Sequence, residues 1–338
     1  MANAGETRFE MRNRPKLALP IAGVICVLSL VHGSRPALAE EGGSGHYTPG
    51  SMASFIDGVA PKPTFLVRYN LLHYSGSAEA DLNVPIGGAT TAGLDATIWG
   101  HALSFFWRPP IEMGERWSYA MSATIPVLSA DVSAGAAVSL PVIGTKTVEL
   151  DDSLTAIGDI VLQPLMLNYN INPDMNVNFR VSLYAPTGSY EVGRLANTGK
   201  NYWTFEPTLA FMYFGAKNGR ELSLFTGVDF NTENDDTDYT SGTQFHVETT
   251  IAQHLPLLGG LTGFGISAYY YQQISDDTGD GATLGDVRAN TDGGGPELSY
   301  VRKMGGNDLL VELKWLNEYH TKNRLEGDTI FLKVAVKF

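Results

Sequence analysis

The carboxy-terminal segment, 329–338, alternates between two kinds of side chain. One face of an extended strand over this segment would carry Ile330, Leu332, Val334, Val336 and Phe338. The opposite face would carry Phe331, Lys333, Ala335 and Lys337. A period of two with β-branched residues is typical of a strand and not of an amphipathic helix. The chain therefore ends on a strand with one fully apolar face, and the rest of the fold has to cover or solvate that face.

The same alternation begins at Pro63 and recurs to the end of the chain. In the segment 117–127, for example, Trp117, Tyr119 and Met121 alternate with serine, alanine and threonine. We count about twelve such segments, each of roughly ten residues, which is the length of a tilted strand that crosses a membrane. The residue pattern therefore predicts an all-β chain with an even number of strands.

The connections between these segments alternate between long and short. The long ones are polar and lie at 75–95, 129–152, 187–200, 231–241, 275–294 and 320–328. The short ones lie at 109–115, 170–176, 216–220, 255–260 and 305–308. Transmembrane barrels have long extracellular loops and short periplasmic turns, whereas sandwiches and jelly rolls have no reason to sort their loops in this way. The pattern predicts a transmembrane antiparallel up-and-down β-barrel over 63–338.

Charged and polar side chains fall on one face of each predicted strand. A charge on the lipid-facing side of a barrel costs about 2–4 kcal/mol at mid-bilayer, so these side chains have to face the lumen. The candidate lumen-lining and binding residues are Arg68, Arg180, Tyr184, Glu206, Glu221, His246, Glu248, Glu312 and Lys314.

The amino-terminal segment has the features of a secretory signal peptide. Basic residues at Arg8 to Lys16 precede an apolar run over 17–31, and Ala37-Leu38-Ala39 is a small-x-small cleavage site. The apolar run is shorter than the ~20 residues that a membrane-spanning helix needs. We predict a signal peptide over 1–39, cleaved after Ala39. The only cysteine, Cys26, lies inside it, so the exported chain would contain no thiol.

Between the signal peptide and the first strand lies a segment rich in glycine, serine and proline, 40–62. Its isolated apolar residues, among them Tyr47 and Phe55, need some cover from water. Two interpretations stay open for this leader. It is either a flexible extension or a partial plug that folds into the mouth of the barrel.

Several motifs resemble those of a known family. They are Glu41-Gly-Gly-x-Gly-x-Tyr47-x-Pro-Gly50, Gly158-Asp159-Ile160, Ala185-Pro-Thr-Gly-x-Tyr190 and Asn197-x-Gly-x-Asn201-Tyr-Trp-x-Phe-x-Pro207. Together they resemble the outer-membrane family named for the meta-pathway of phenol degradation, whose members are loosely similar to FadL-type channels. The resemblance implies a bacterial outer-membrane location, contact with membrane lipid and lipopolysaccharide, and uptake of aromatic or apolar molecules. The aromatic terminal residue, Phe338, resembles that of the last strand of bacterial outer-membrane barrels in general, which implies that the barrel-assembly machinery recognises it.

Two other functions are compatible with a barrel of this kind. A membrane-embedded hydrolase could use His246 and Glu248, which share a strand face, but no Gly-x-Ser-x-Gly nucleophile elbow is present in the sequence. A structural barrel without transport is the second alternative. The net charge of −13 disfavours a nucleic-acid partner.

Metal and cofactor sites are not expected from the spacing of possible ligands. No His-x-x-x-His pair occurs, and the loop that begins at Asp276 has Val287 where a calcium loop needs a glutamate. We therefore predict no enzyme, no cofactor and no metal. The predicted function is passive uptake of small hydrophobic or aromatic compounds, with a possible lateral exit where Pro164 or Pro207 interrupts the strand hydrogen bonds.

Overall fold

The computed structural model describes residues 39–86, 89–140, 144–285 and 287–338. The predicted signal peptide lies outside this range except for its last residue, so its cleavage stays a prediction. Within the described residues there are two short 3-10 turns, Glu41–Gly43 and Phe55–Asp57, and thirteen antiparallel strands. No helix in the described part of the chain is long and apolar enough to cross a membrane.

The strands follow one another along the chain. They are β1 Thr64–Ile86, β2 Ala89–Arg108, β3 Trp117–Leu140, β4 Gly144–Ile157, β5 Ile160–Asn172, β6 Met175–Ala185, β7 Thr204–Phe214, β8 Arg220–Asn231, β9 Gln244–Leu257, β10 Gly260–Gln273, β11 Asn290–Met304, β12 Asn307–Glu318 and β13 Glu326–Lys337.

The sheet closes on itself because the last strand pairs with the first. Strand β13 lies antiparallel to β1, with Leu66 opposite Lys337. Strand β3 has two partners on the same edge: its first half pairs with β5, as far as Thr124 opposite Val161, and its second half pairs with β4 from Val127 opposite Ile157. Twelve strands therefore form the ring, and β4 is an additional strand attached to the extension of β3. The predicted barrel of about twelve strands is confirmed.

Two of the six stretches that we expected to be long loops are strands instead. The described parts of these two stretches, 75–86 with 89–95 and 129–140 with 144–152, extend the β1–β2 and β3–β4 hairpins, so that Ser77 pairs with Asp95 and Asp131 pairs with Ser153. Glycine, serine and aspartate make these segments look like loops in the sequence, but pairing with the neighbouring strand determines their conformation more than residue preference does. The four remaining long connections lie at 186–203, 232–243, 274–289 and 319–325, and their described residues belong to none of the thirteen strands.

The five connections that we predicted to be short join β2 to β3, β5 to β6, β7 to β8, β9 to β10 and β11 to β12. They lie at the end of the barrel that also carries both chain ends of the ring. The two-residue turn at Leu258-Gly259 has positive φ at both positions, which matches the right-handed twist of the strands it connects. Phe338 donates its backbone N–H to the carbonyl of Phe65 at 2.9 Å, so the carboxyl terminus is paired at this rim.

The outer surface is apolar and the interior is polar. On β10, Ile266 is 64 % exposed while its neighbour Ser267 is 5 % exposed, and on β12 Trp315 is 56 % exposed while Lys314 is fully buried. A water-soluble protein would have the opposite arrangement, because apolar side chains are the ones it buries. This inversion is that of a membrane barrel, with lipid outside and a polar lumen within.

Candidate channel lumen

The structure places all nine predicted lumen residues on the inner face of the barrel. Glu206, His246, Glu312 and Lys314 are fully buried, and Arg180, Glu221 and Glu248 nearly so, whereas Arg68 and Tyr184 are partly accessible. They lie on β1, β6, β7, β8, β9 and β12. Their burial comes from the leader, 40–62, which lies inside the ring.

Glu248 holds the first half of the leader. Its carboxylate accepts hydrogen bonds from the Tyr47 hydroxyl, from the Gly50 N–H at 3.1 Å and from the Met52 N–H at 2.8 Å. Lys314 donates to the Met52 carbonyl at 2.7 Å. These contacts satisfy polar backbone groups that would otherwise be buried without partners.

Asp57 anchors the second half of the leader through two ion pairs. Its carboxylate lies 2.7 Å from the guanidinium of Arg68 and 2.9 Å from the ammonium of Lys333. Arg180 also donates to the Asp57 carbonyl at 3.0 Å. Although burial opposes ionisation of this carboxyl, the charges of Lys333 and Arg68 hold the pKa of Asp57 well below its usual range. The ion pairs therefore depend on a charged Asp57.

Further polar contacts fix the 3-10 turn of the leader. The Phe55 N–H donates to Glu221 at 2.7 Å, and the Ser54 hydroxyl donates to Glu312. Glu312 is itself 3.0 Å from Lys333. The charged side chains that we predicted to face an open lumen thus contact the leader, and their role in binding a solute stays a prediction.

The part of the lumen that the leader leaves free is a cavity of about 430 Å³. Five strands contribute apolar side chains to its wall: Leu72 (β1), Phe106 (β2), Leu128 (β3), Val161 (β5) and Phe331 (β13). Uncharged polar side chains between them are Asn70, Ser104, Thr124, Gln163 and Ser182. Charged side chains line it as well: Arg68 and Lys333, which are both paired with Asp57, and also Glu41, Asp159, Lys200, Glu318 and Arg324. This volume lies within the range of small-molecule pockets.

Our sequence reasoning missed the apolar wall because it selected lumen residues by charge. A usable signal is present on β2, where Ile98, Ala102 and Phe106 on the inner face are as apolar as the outward residues between them. A strand that is apolar on both faces needs an apolar environment on each side, which here means lipid outside the barrel and an apolar space inside it. Small residues on the inner face, such as Gly100 and Ala102, leave the space beside it open.

One grouping in the described residues that resembles a hydrolytic triad involves His46 of the leader. Its imidazole lies 2.6 Å from the Thr204 hydroxyl and 2.8 Å from the Asp159 carboxylate. The Thr204 hydroxyl, however, donates to Asn231 at 2.6 Å. Catalytic threonines rely on an adjacent base that removes this proton, so the contact with Asn231 makes the arrangement unsuited to nucleophilic attack. It joins the leader to the barrel wall.

A family model with the description "Putative MetA-pathway of phenol degradation" matches residues 80–334. The chain belongs to this family. The match covers most of the barrel and so confirms the resemblance that the loop motifs indicated. No curated protein matches the chain.

The fold of this phenol-degradation family member is similar to that of solved outer-membrane proteins. An outer-membrane channel from Pseudomonas putida F1 is 16% identical and superposes with a TM-score of 0.62 over 86% of this chain and 100% of that one. At this identity the similarity shows a shared fold. A FadL homologue from Pseudomonas aeruginosa is more distant, with 8% identity and a TM-score of 0.36 over 82% of this chain and 89% of that one.

Proposed function

We propose that this protein is a channel of the bacterial outer membrane for the passive uptake of small hydrophobic or aromatic compounds. The observation that carries the proposal is the apolar cavity beside the leader, in a lumen whose other half is filled by hydrogen-bonded and charged groups. Family membership supports the aromatic class of solute, since the family is named for a pathway that degrades phenol.

The size of the cavity suits a single aromatic ring with small substituents. A ring of phenylalanine size buries about 150 Å², and at roughly 25 cal/mol per Å² its transfer from water is favourable by about 4 kcal/mol. A sugar has no such gain, because its hydroxyls would lose water and find few free partners among Leu72, Leu128 and Phe331. The cavity therefore favours apolar solutes over sugars of similar size.

The location and assembly of the protein follow from the same proposal. The chain would be exported, cleaved after Ala39 and inserted through its terminal strand. Phe338 is 60 % exposed at the rim where the strand ends, so its ring is accessible to the assembly machinery. Lipid would surround the outward apolar face, and lipopolysaccharide would surround the hairpin extensions of β1 to β4.

The family match and the barrel fold both favour transport over the two alternatives. The contacts of His46 give no support to an enzymatic function, since they join the leader to the barrel wall. A structural barrel without transport would gain nothing from a preformed apolar cavity. Exit through the wall near Pro164 stays a prediction, although the pairings of β5 with both neighbours are irregular there.

Filling the cavity should slow the uptake of aromatic solutes. Ala102 lines the cavity, and the substitution Ala102→Phe would place a ring where the solute binds. An overpacking penalty of about 1–3 kcal/mol on the bound solute predicts a reduction in aromatic flux of about 5-fold to 100-fold. The measurement is the entry of toluate or phenol into liposomes that contain the refolded protein.

The matched control is Ala268→Phe, because Ala268 is exposed on the outer face of β10 and the same side chain there would only meet lipid. Its flux should equal that of the unsubstituted protein. Equal aromatic flux through both variants would mean that the solute does not pass through the cavity, and the proposed function would lose its main support.

A further inference from the structure

Three potential metal ligands meet inside the barrel, on neighbouring strands. They are Glu206 on β7, Asp229 on β8 and His246 on β9, and one ligand atom from each lies within 4.8 Å of the others. All three side chains are completely buried. None of the hydrogen bonds that hold the leader needs a carboxylate at position 229, and the apolar cavity does not include any of the three.

Asp229 has no visible partner in this site. Neither of its carboxylate oxygens accepts a hydrogen bond, and the Nδ1 atom of His246 is also without a partner. The imidazole Nε2 lies 3.2 Å from Glu206. An ionised carboxylate that is buried without a hydrogen bond is strongly unfavourable, so a cation that neutralises it would be bound firmly.

The charge of this cluster is not balanced as it is elsewhere in the lumen. Asp57 and Glu312 are each paired with a lysine, whereas among the described residues no lysine or arginine forms an ion pair with Glu206 or Asp229. Two carboxylates and one imidazole thus face each other, and in the described part of the chain only the histidine lies at ion-pair distance from either carboxylate. The missing positive charge has to come from outside the protein chain.

We propose that Glu206, Asp229 and His246 bind one divalent transition-metal ion, for which Zn²⁺ is the probe. Imidazole and carboxylate together are ligands for zinc and other first-row metals, whereas magnesium and calcium prefer oxygen ligands alone. Sequence spacing could not show this site, because each ligand lies on a different strand. The proposal therefore replaces our expectation that the protein has no metal site.

The surroundings orient the ligands in the way that metal sites require. The Tyr184 hydroxyl donates to one oxygen of Glu206 at 2.8 Å, and the Thr208 hydroxyl donates to the other at 3.0 Å. Such contacts to a ligating carboxylate fix its orientation. Gly227 makes room for the imidazole, since a Cβ at that position would lie 2.5 Å from Nε2 of His246.

The site also adjoins the leader. The ring of Tyr47 stacks on the imidazole of His246 with 3.8 Å between ring centroids, and the Tyr47 hydroxyl donates to Glu248. A metal ion bound to His246 would fix the surface on which Tyr47 rests. The ion thus has a structural role, in that it stabilises the seat of the leader.

The metal content of the refolded protein tests the proposal. The chain from residue 40 onwards is refolded in detergent with Zn²⁺, freed of unbound metal by gel filtration, and its zinc is measured by mass spectrometry. We expect one zinc ion per chain, and none in Asp229→Asn. The matched control is His254→Asn. His254 also forms a buried pair with a glutamate, Glu221, at 2.7 Å, but no unpartnered carboxylate lies beside this pair as Asp229 lies beside His246. This control should keep its zinc.

Thermal unfolding gives a second readout that does not depend on transport. Added Zn²⁺ during refolding should raise the unfolding temperature of the unsubstituted protein and of His254→Asn, but not that of Asp229→Asn. Asp229→Asn should itself fold, because it removes a buried charge instead of creating one. Equal zinc content in the unsubstituted protein and Asp229→Asn would overturn the proposal, and a proton would then be the neutralising cation.

Discussion

Substitution of Asp57 by asparagine should release the leader from the lumen and raise its rate of proteolysis by about 100-fold. The change removes the negative charge between Arg68, which is partly accessible, and Lys333, which is buried. Breaking a buried ion pair costs about 3–5 kcal/mol, and every 1.4 kcal/mol changes an equilibrium tenfold. Because Glu312 still neutralises part of the charge of Lys333, we expect the lower end of this range. The readout is chymotrypsin cleavage after Phe55, which tracks the population of released leader.

Asp276→Asn is the matched control for this experiment. Asp276 pairs with Arg288 at 2.7 Å in an exposed loop, where loss of a carboxylate has little effect on stability. Its cleavage after Phe55 should match that of the unsubstituted protein. If Asp57→Asn were cleaved no faster than Asp276→Asn, the ion pairs of Asp57 would not hold the leader.

The same pairs make the seating of the leader sensitive to acid. Since the pKa of Asp57 is below its ordinary value of 3.8, its contribution is fully present above that value and is lost as the pH falls below it. The difference in cleavage between the unsubstituted protein and Asp57→Asn should therefore shrink on acidification, when assayed with an acid-tolerant protease. A difference that persisted unchanged would rule out the charge of Asp57 as its cause.

Deletion of the leader, residues 40–60, should convert the selective channel into a general pore. The leader supplies the groups that contact Glu221, Glu248 and Glu312 in the filled half of the lumen. Side chains alone can fill a ring of eight strands, but a ring of twelve strands encloses more space. Removal of the leader therefore leaves a water-filled passage. We expect sugar entry into liposomes to rise about tenfold or more above that of the full chain.

A synthetic peptide of residues 40–60 provides the control for the deletion. Added during refolding, it should return to its hydrogen bonds and restore the exclusion of sugars. Sugar entry that stayed low in the deletion protein, with the barrel folded, would show that loops close the lumen and that the leader does not.

The fold could be predicted from the sequence because the alternation of side chains is a local property of each strand. The inner and outer faces of β3 and β13 follow directly from it. The extra strand β4 could not be predicted in this way, because its pairing depends on which part of β3 is free of β5. Serine, glycine and aspartate make the hairpin extensions look like loops in the sequence, although pairing with neighbouring strands stabilises them as strands.

The lumen residues could be predicted only in part. Charge located Glu248 and Lys314 on the inner face, since lipid excludes them, but not the leader groups that pair with them. The apolar cavity depends on which side chains the leader leaves uncovered, and the cluster of Glu206, Asp229 and His246 depends on strand register. Both are consequences of tertiary packing. The apolar inner face of β2 is a sequence signal for the cavity wall, whereas the three-residue cluster leaves no motif in a single sequence.

The most direct test of the channel proposal is a comparison of two solutes in liposomes that contain the refolded chain from residue 40 onwards. One solute is toluate or phenol and the other is a sugar of similar size, with protein-free liposomes as the baseline for leakage through lipid. We predict that the aromatic enters faster than this baseline and that the sugar does not. Aromatic entry at the baseline rate, with the barrel folded, would contradict the account.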